Sequence, residues 1–342
     1  MVAARTTALG MAAGVALDAV FGDPRRGHPV AGFGRAAGRL EQAMYADGRG
    51  RGIAYTALCV GATTALGVGI RRAVADRPTA DFAATAVCTW AVLGGTTLRR
   101  EARAIAAPLV AGDLAAARTA LPRLVGRDPS RLDDKGIARA VVESVAENTS
   151  DAVVAPLFWG AVAGIPGLLG YRAINTLDAM VGHHNPRHEN FGWASARLDD
   201  AANWIPARLT GLLTVAAAPV VGGDPARALA ILRRDGASHP SPNAGRCEAS
   251  AAGALDITLG GRNNYAGRTE DRPRLGDGPP PGPSDIERAN RLSKTVGLAA
   301  AALAVAAVAT RAARATGAAR PADSSRASRT ARPARRNRRA SR

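Results

Sequence analysis

Six stretches with almost no charge punctuate the 342 residues, at about 6–22, 53–70, 81–98, 152–170, 209–223 and 295–310. A helix needs about 20 apolar residues to cross the hydrocarbon of a bilayer. The stretches 53–70 and 81–98 fit that length and are flanked by charge, Arg51 and Arg71-Arg72 around one, Asp81 and Arg99-Arg100 around the other. Pro156 and Pro166 interrupt 152–170, which a membrane helix tolerates where neighbours satisfy the freed backbone groups. The stretches 209–223 and 295–310 are short, so each reads as a tilted span, a re-entrant piece or a buried soluble helix. Aromatic residues are only 4%, and much of the 47% apolar content is alanine. An overall hydropathy near zero therefore does not argue against spans. These patterns predict an all-α, polytopic helical membrane protein with sizeable cytoplasmic loops, multi-pass in the cell membrane. A soluble helical protein is the alternative that the short alanine-rich stretches leave open.

The formal charge of +17 is uneven. Residues 311–342 hold eleven arginines and one acid, Asp323, among Ser, Ala and Pro. Such a segment cannot bury a core and reads as a disordered basic tail after a membrane domain spanning 1–310. It suits nucleic acid or anionic lipid, or it is a plain solvated extension. The core itself carries no nucleic-acid signature. Cys59, Cys88 and Cys247 have no paired spacing and form no zinc pattern. The hydrophilic piece 99–151 carries nine Lys or Arg and so is expected in the cytoplasm. Strict alternation then places 171–208 and the tail outside, against the positive-inside tendency for the tail. Residues 271–285, DRPRLGDGPPPGPSD, read as a Pro/Gly-rich loop.

Three polar clusters stand beside the apolar stretches. In DKGIARAVVESVAENTSD, residues 134–151, the periodicity predicts a helix on which Glu143, Glu147 and Asp151 recur every four residues. Like charges at that spacing repel, and a cation between them reverses the sign. Equally, Asp151 ahead of Pro156 reads as the start of the next helix. In residues 170–210, Arg172, Asn175 and Asp178 share a helix face, and His183, His184 and His188 surround Asn185-Pro186. Pro186 argues against a helical zinc pair there. Asp199, Asp200 and Asn203 form a DDxxN pattern, with Arg197 and Arg208 nearby. The pattern resembles acidic helices that hold Mg²⁺ against a diphosphate, and arginines suit phosphate or carboxylate. Capping and ion pairing account for it as well.

The third cluster, 239–267, opens on the turn-rich HPSPNAG with His239 and Asn243, then a small-residue helix at 247–255 containing Glu248. Such a helix start offers free N–H groups to an anion. Gly260 to Tyr265 read as a second glycine turn. No P-loop and no GxGxxG after a strand are present, so a nucleotide here is bound by another scheme. At the first stretch's end, LDAVFGDPRRGHPV places Asp23 and His28 in two adjoining X-Pro turns.

Taken in order, GDP…HPV, ESVAENTSD, YRAINTLDAMVGH, ARLDDAANWIPARL and HPSPNAG…EA resemble the CobD/CbiB family of cobalamin biosynthesis, the adenosylcobinamide-phosphate synthases, over about residues 15–310. One departure is Gly-Arg-Cys-Glu-Ala at 245–249, where family members often have an aromatic and a proline before Glu-Ala. The resemblance implies a ligase that joins adenosylcobyric acid to aminopropanol or its phosphate, driven by ATP with Mg²⁺. It implies small-molecule corrinoid and aminopropanol partners, and other late corrin-pathway enzymes as protein partners. By the same resemblance, Glu143, Glu147, Asp151, Asp199, Asp200 and His183 are expected in catalysis, with Glu147, Asp151 and Asp200 as metal ligands. Asp23, His28, Arg172, Asn175, Asp178, Arg197, Asn203, Arg208, His239, Asn243 and Glu248 are expected to bind substrate.

Two rival readings belong to other classes. The DDxxN pattern with arginines also suits a membrane prenyltransferase, whose usual second Asp-rich repeat is poor here. A transporter would line an ion path with intramembrane acids, whereas these acids lie mainly at segment ends and in loops.

Overall fold

A computed structural model describes residues 2–24, 27–126, 128–183, 185–265 and 268–317. The His184 and basic-tail expectations fall on or reach into the remainder: His184 and 318–342 lie outside the described residues. The fold is helical: α1 (Val2–Phe21), α2 (Pro29–Met44), α3 (Arg49–Val74), α4 (Pro78–Val92), α5 (Gly95–Val110), α6 (Leu114–Ala120), α7 (Asp134–Thr149), α8 (Ala155–Val181), α9 (Trp193–Ala202), α10 (Trp204–Ala217), α11 (Pro225–Asp235), α12 (Ala244–Leu255) and α13 (Pro283–Gly317). One antiparallel hairpin, β1 (Leu259–Tyr265) with β2 (Arg268–Leu275), is the only sheet among the described residues. Two loop expectations are corrected by it. Gly260 to Tyr265 are strand rather than a turn, and the Pro/Gly-rich loop starts after Leu275 because 271–275 pair with 259–262. The last helix also runs past 310 to Gly317.

The expected span 81–98 is two pieces. α4 stops at Val92 and α5 starts at Gly95, because Gly94 leaves the helical ladder and gives its N–H to the Ala152 carbonyl at 3.1 Å. The stretch 152–170 is not one rod either. Inside α8, Gly164 sits at φ 65°, ψ −145°, a conformation essentially reserved for glycine. Asn175 Nδ2 lies 3.4 Å from Asp151 Oδ2, whereas residues 24 apart on one straight helix would be about 36 Å apart. A side chain on Gly160 would meet Leu168 at 2.7 Å. The chain therefore folds back at Gly164 into a helical hairpin. Pro166 falls in the first turn of the returning arm, where its missing N–H costs nothing. Arg311 Nη1 caps the freed Ala161 carbonyl at the tip, at 2.7 Å.

This hairpin sets the topology. Its open end and its tip define two faces of the molecule, the site face and the far face. α1 and α4 run side by side from far face to site face: Thr6 Oγ1 donates to Asp81 at 2.5 Å at one end, and Trp90 Nε1 donates to the Gly22 carbonyl at 2.9 Å at the other. α3 runs the opposite way against the returning arm, with Gly67 packed on Pro166 and Gly170 on Thr64. α13 follows the outgoing arm, from Ser293 beside Thr149 (2.7 Å) to Arg311 at the tip. Consequently 99–133 and 182–192 emerge on the same face. The alternation that placed 171–208 opposite 99–151 fails because the chain doubles back within that one apolar stretch.

The stretch 209–223 resolves as re-entrant. α9 enters beside α3, where Thr56 and Ser195 hydroxyls meet at 2.8 Å, and it reaches Trp159, whose Nε1 donates to the Ala202 carbonyl at 3.0 Å. α10 then turns back, and a 3-10 turn after it reaches Val221, whose carbonyl accepts from Arg288 Nη2 at 3.1 Å, near the start of α13. Four helical segments are long and apolar enough to cross a membrane, Arg49–Val74, Asp134–Val181, Trp204–Val221 and Pro283–Arg311, but their paths differ in this way. Leu58, Leu66, Val87, Leu298 and Leu303 stand more than half exposed on the outer helices, a belt that water would penalise and lipid accepts. At the site face, α5, α7, α12 and α13 close a conventional core around Ile105, Val141, Leu255 and Ile286.

Candidate active site

Helices α7 and α8 join without a break through a π-turn over Ser150–Val154, in which the Ala155 N–H returns to the Ser150 carbonyl. The expected helix start at Asp151 is therefore replaced by a wide turn, a feature common at functional sites. The turn rotates Asp151 toward the returning arm. There Asn175 bridges two acids, its Nδ2 lying 3.4 Å from Asp151 Oδ2 and 3.4 Å from Asp199 Oδ1. Asn203 holds the other oxygen of Asp199, at 3.0 Å, and accepts from the buried Tyr171 hydroxyl at 2.9 Å. That hydroxyl also lies 3.2 Å from the Asp151 carbonyl. Three helices are thus cross-linked at one point, at the open end of the α8 hairpin and beside the turn between α9 and α10.

Glu147 and Asp178 act electrostatically on Asp151, and Asp178 feels Asp199, Asp200 and Glu147. Five carboxylates therefore gather here. Burial raises the Asp199 carboxyl from 3.8 to about 6, against the opposing pull of Asn203 and Asn175. Burial also raises Asp200, offset in part by Arg197, whose Nη1 lies 3.3 Å from Asp200 Oδ2. The cation inside the group is Arg172, which reaches Asn175 Oδ1 at 3.4 Å and feels Asp23. Asp23 in turn lies 3.7 Å from His28 Nε2, and His28 Nδ1 caps α2 by accepting from the Val30 N–H. The HPSPNAG loop joins from the other side: Asn243 Nδ2 donates to the Asp200 carbonyl at 2.9 Å. Within that loop His239 Nδ1 accepts from the Ser241 N–H at 3.0 Å. The proton of a neutral ring is then on Nε2, which faces Glu248 Oε1 at 3.8 Å.

The expected residues thus divide. Glu147, Asp151, Arg172, Asn175, Asp178, Asp199, Asp200 and Asn203 come together. Asp23, His28, Asn243, His239 and Glu248 stand around them. Arg197 is on the rim, and Arg208 stacks on Trp204 at 4.0 Å, outside the group. His183 is exposed in the loop after α8. Glu143 points elsewhere: it is 2% exposed, and its Oε1 accepts from the Gly260 N–H at 2.8 Å. Sequence reading missed Tyr171, whose hydroxyl ties the π-turn to Asn203; its place in YRAINTLD one residue before Arg172 was the available signal.

A hard divalent cation fits the donor set, which is carboxylate and amide oxygen with the Arg172 and Arg197 guanidinium groups beside it. Among the described residues no three His, Cys, Asp or Glu side chains are already closed around such an ion. Mg²⁺ does not demand that, since one or two carboxylates complete its shell with water and phosphate oxygens.

The family described as CobD/Cbib protein matches residues 11–293. A cobalamin biosynthesis protein CobD of Mycobacterium tuberculosis (strain ATCC 25618 / H37Rv) is 54% identical over 299 residues, covering 87% of this chain and 95% of the relative. A protein of the same name from Rhodobacter capsulatus is 45% identical over 292 residues (82% and 91%), and one from Geobacter metallireducens is 46% identical over 268 (77% and 84%). No solved structure matches.

Proposed function

Since the chain belongs to the CobD/CbiB family and so serves cobalamin biosynthesis, we propose that it joins the free carboxylate of adenosylcobyric acid to aminopropanol or aminopropanol phosphate, with ATP consumed. The product is adenosylcobinamide or its phosphate. What carries this reading is the convergence of five motifs on one group of carboxylates with Arg172 inside it and Arg197 on its rim.

A carboxylate is a poor acyl donor. Transfer of the γ-phosphoryl group makes an acyl phosphate; the amine then attacks the carbonyl carbon, the C–N bond forms, and the C–O bond to phosphate breaks. Phosphate leaves, and the ammonium's protons must be taken up. Glu147, Asp151 and Asp200 would hold Mg²⁺, which neutralises phosphate charge. Asp199, raised to about 6 by burial, takes a proton more readily than an exposed carboxylate. Arg172 lies where it can face phosphoryl or carboxylate oxygens and offset charge that grows during transfer. Asn175 and Asn203 keep the acids apart and oriented. The nine Lys or Arg of 99–151 and the need for ATP both favour a cytoplasmic site face.

Membranes carrying the protein, given adenosylcobyric acid, aminopropanol phosphate or aminopropanol, Mg²⁺ and ATP, should yield the amide by mass, and only with ATP. No amide from either amine would refute the reaction while leaving the family intact.

A further inference from the structure

A cavity of about 240 Å³ lies between the first turns of α7 and the β1–β2 hairpin. Its wall carries the guanidinium-bearing Arg139, Arg262 and Arg274 beside Gly260, Gly261 and Gly278, and no acidic side chain among the described residues. Arg139 is fixed there: Nη1 donates to the Gly260 carbonyl at 2.5 Å and Nη2 to the Arg262 carbonyl at 2.9 Å. Arg262 pairs through Nε with Asp271 on the exposed rim, at 3.1 Å. Arg274 has no carboxylate partner among the described residues. Three guanidinium groups around one concavity, one of them partly offset by Asp271 on the rim, leave positive charge there that an anion relieves. Glycine walls let such an anion approach the backbone closely, and guanidinium forks match phosphate oxygens in pairs.

The volume is below that of sites for drug-sized ligands, so the cavity suits a phosphate head and not a corrin ring. Its position separates it from the reacting groups. Arg139, Glu143, Glu147 and Asp151 form one i,i+4 row, and twelve residues of helix span about 18 Å. We propose that this cavity binds a phosphate group that does not react, carried by a small molecule, as a site distinct from the carboxylate centre. Glu143 grips the Gly260 N–H in the cavity wall from the same row, which fixes that strand against α7. The inference does not depend on the reaction assigned above.

The test is calorimetric binding by the full chain purified in detergent, with pyrophosphate, ATP and aminopropanol phosphate as free probes and phosphatidylglycerol nanodiscs as the lipid arm. The variant is Arg262→Ala with Arg274→Ala, since Arg139 also holds the strand. Affinity for at least one probe should fall about tenfold or more in the double variant and fall with added KCl, while Arg72→Ala, at the exposed far end of α3, binds as the parent does. Which probe shows this identifies a soluble or a lipid phosphate as the source. Unchanged binding in a folded double variant overturns the site, as does an equal loss in Arg72→Ala. Absence of parental binding to every probe up to about 10 mM overturns it too.

Discussion

Asp199 holds its proton unusually tightly, and the consequence has a definite sign. A carboxyl raised from 3.8 to about 6 on folding binds more protons folded than unfolded between those values. Its contribution to stability is therefore fully present below 3.8 and is lost as pH rises through about 6. A cation bound among the acids opposes that loss only when they are ionised. Mg²⁺ should accordingly raise Tm more at pH 8 than at pH 5, measured by thermal melting in detergent; equal shifts at both would contradict a cation held by Glu147, Asp151 and Asp200 beside Asp199. Glu143 gives the contrasting case. Replacing it by Ala leaves the Gly260 N–H without its carboxylate and should cost about 1.5–3 kcal/mol of stability, read as a lower melting temperature. Glu143 and Glu147 are alike in sequence, both acids four apart on one helix. Only the strand at Gly260, more than a hundred residues away, sends one to the core and leaves the other in the site.

At the scale of elements, the chain's decisive device is the hairpin at Gly164. Gly164→Ala forces a side chain into a left-handed, nearly glycine-only conformation and should cost about 1–3 kcal/mol, seen as lower melting or loss of membrane-inserted protein. Gly69→Ala is the control, because nothing lies near its Cβ direction in α3, so it should be neutral or stabilising by up to about 1 kcal/mol. The apolar stretches were legible from hydropathy, and the helix at 134–151 from its period. Their paths were not. Hydropathy gives length and apolarity but no direction, so 152–170 looked like one pass, and 209–223 read equally as a tilted span, a re-entrant piece or a buried helix. The π-turn was hidden too, since a wide turn needs no special residue.

At the scale of the molecule, the five motifs were legible as a set, but their meeting point depends on the hairpin and on the re-entrant α9–α10 pair. Single cysteines introduced at Ser130 and Glu189 in a background lacking the native three should react with an impermeant maleimide from one side of the membrane, and one at Asp76 from the other. Ser130 and Glu189 reacting from opposite sides would exclude the hairpin. The central claim is that the converged acids, and not every acid of the motif, are the reaction centre. It is tested most directly by ATP-dependent amide formation in membranes with matched amounts of parent, Asp151→Asn, Asp199→Asn and Glu143→Gln proteins. The account predicts at least about 100-fold loss of rate in the two aspartate variants, as expected when a group acting on charge in the transition state is removed, and turnover within a few-fold of the parent in Glu143→Gln. Near-parental rates in both aspartate variants would contradict it.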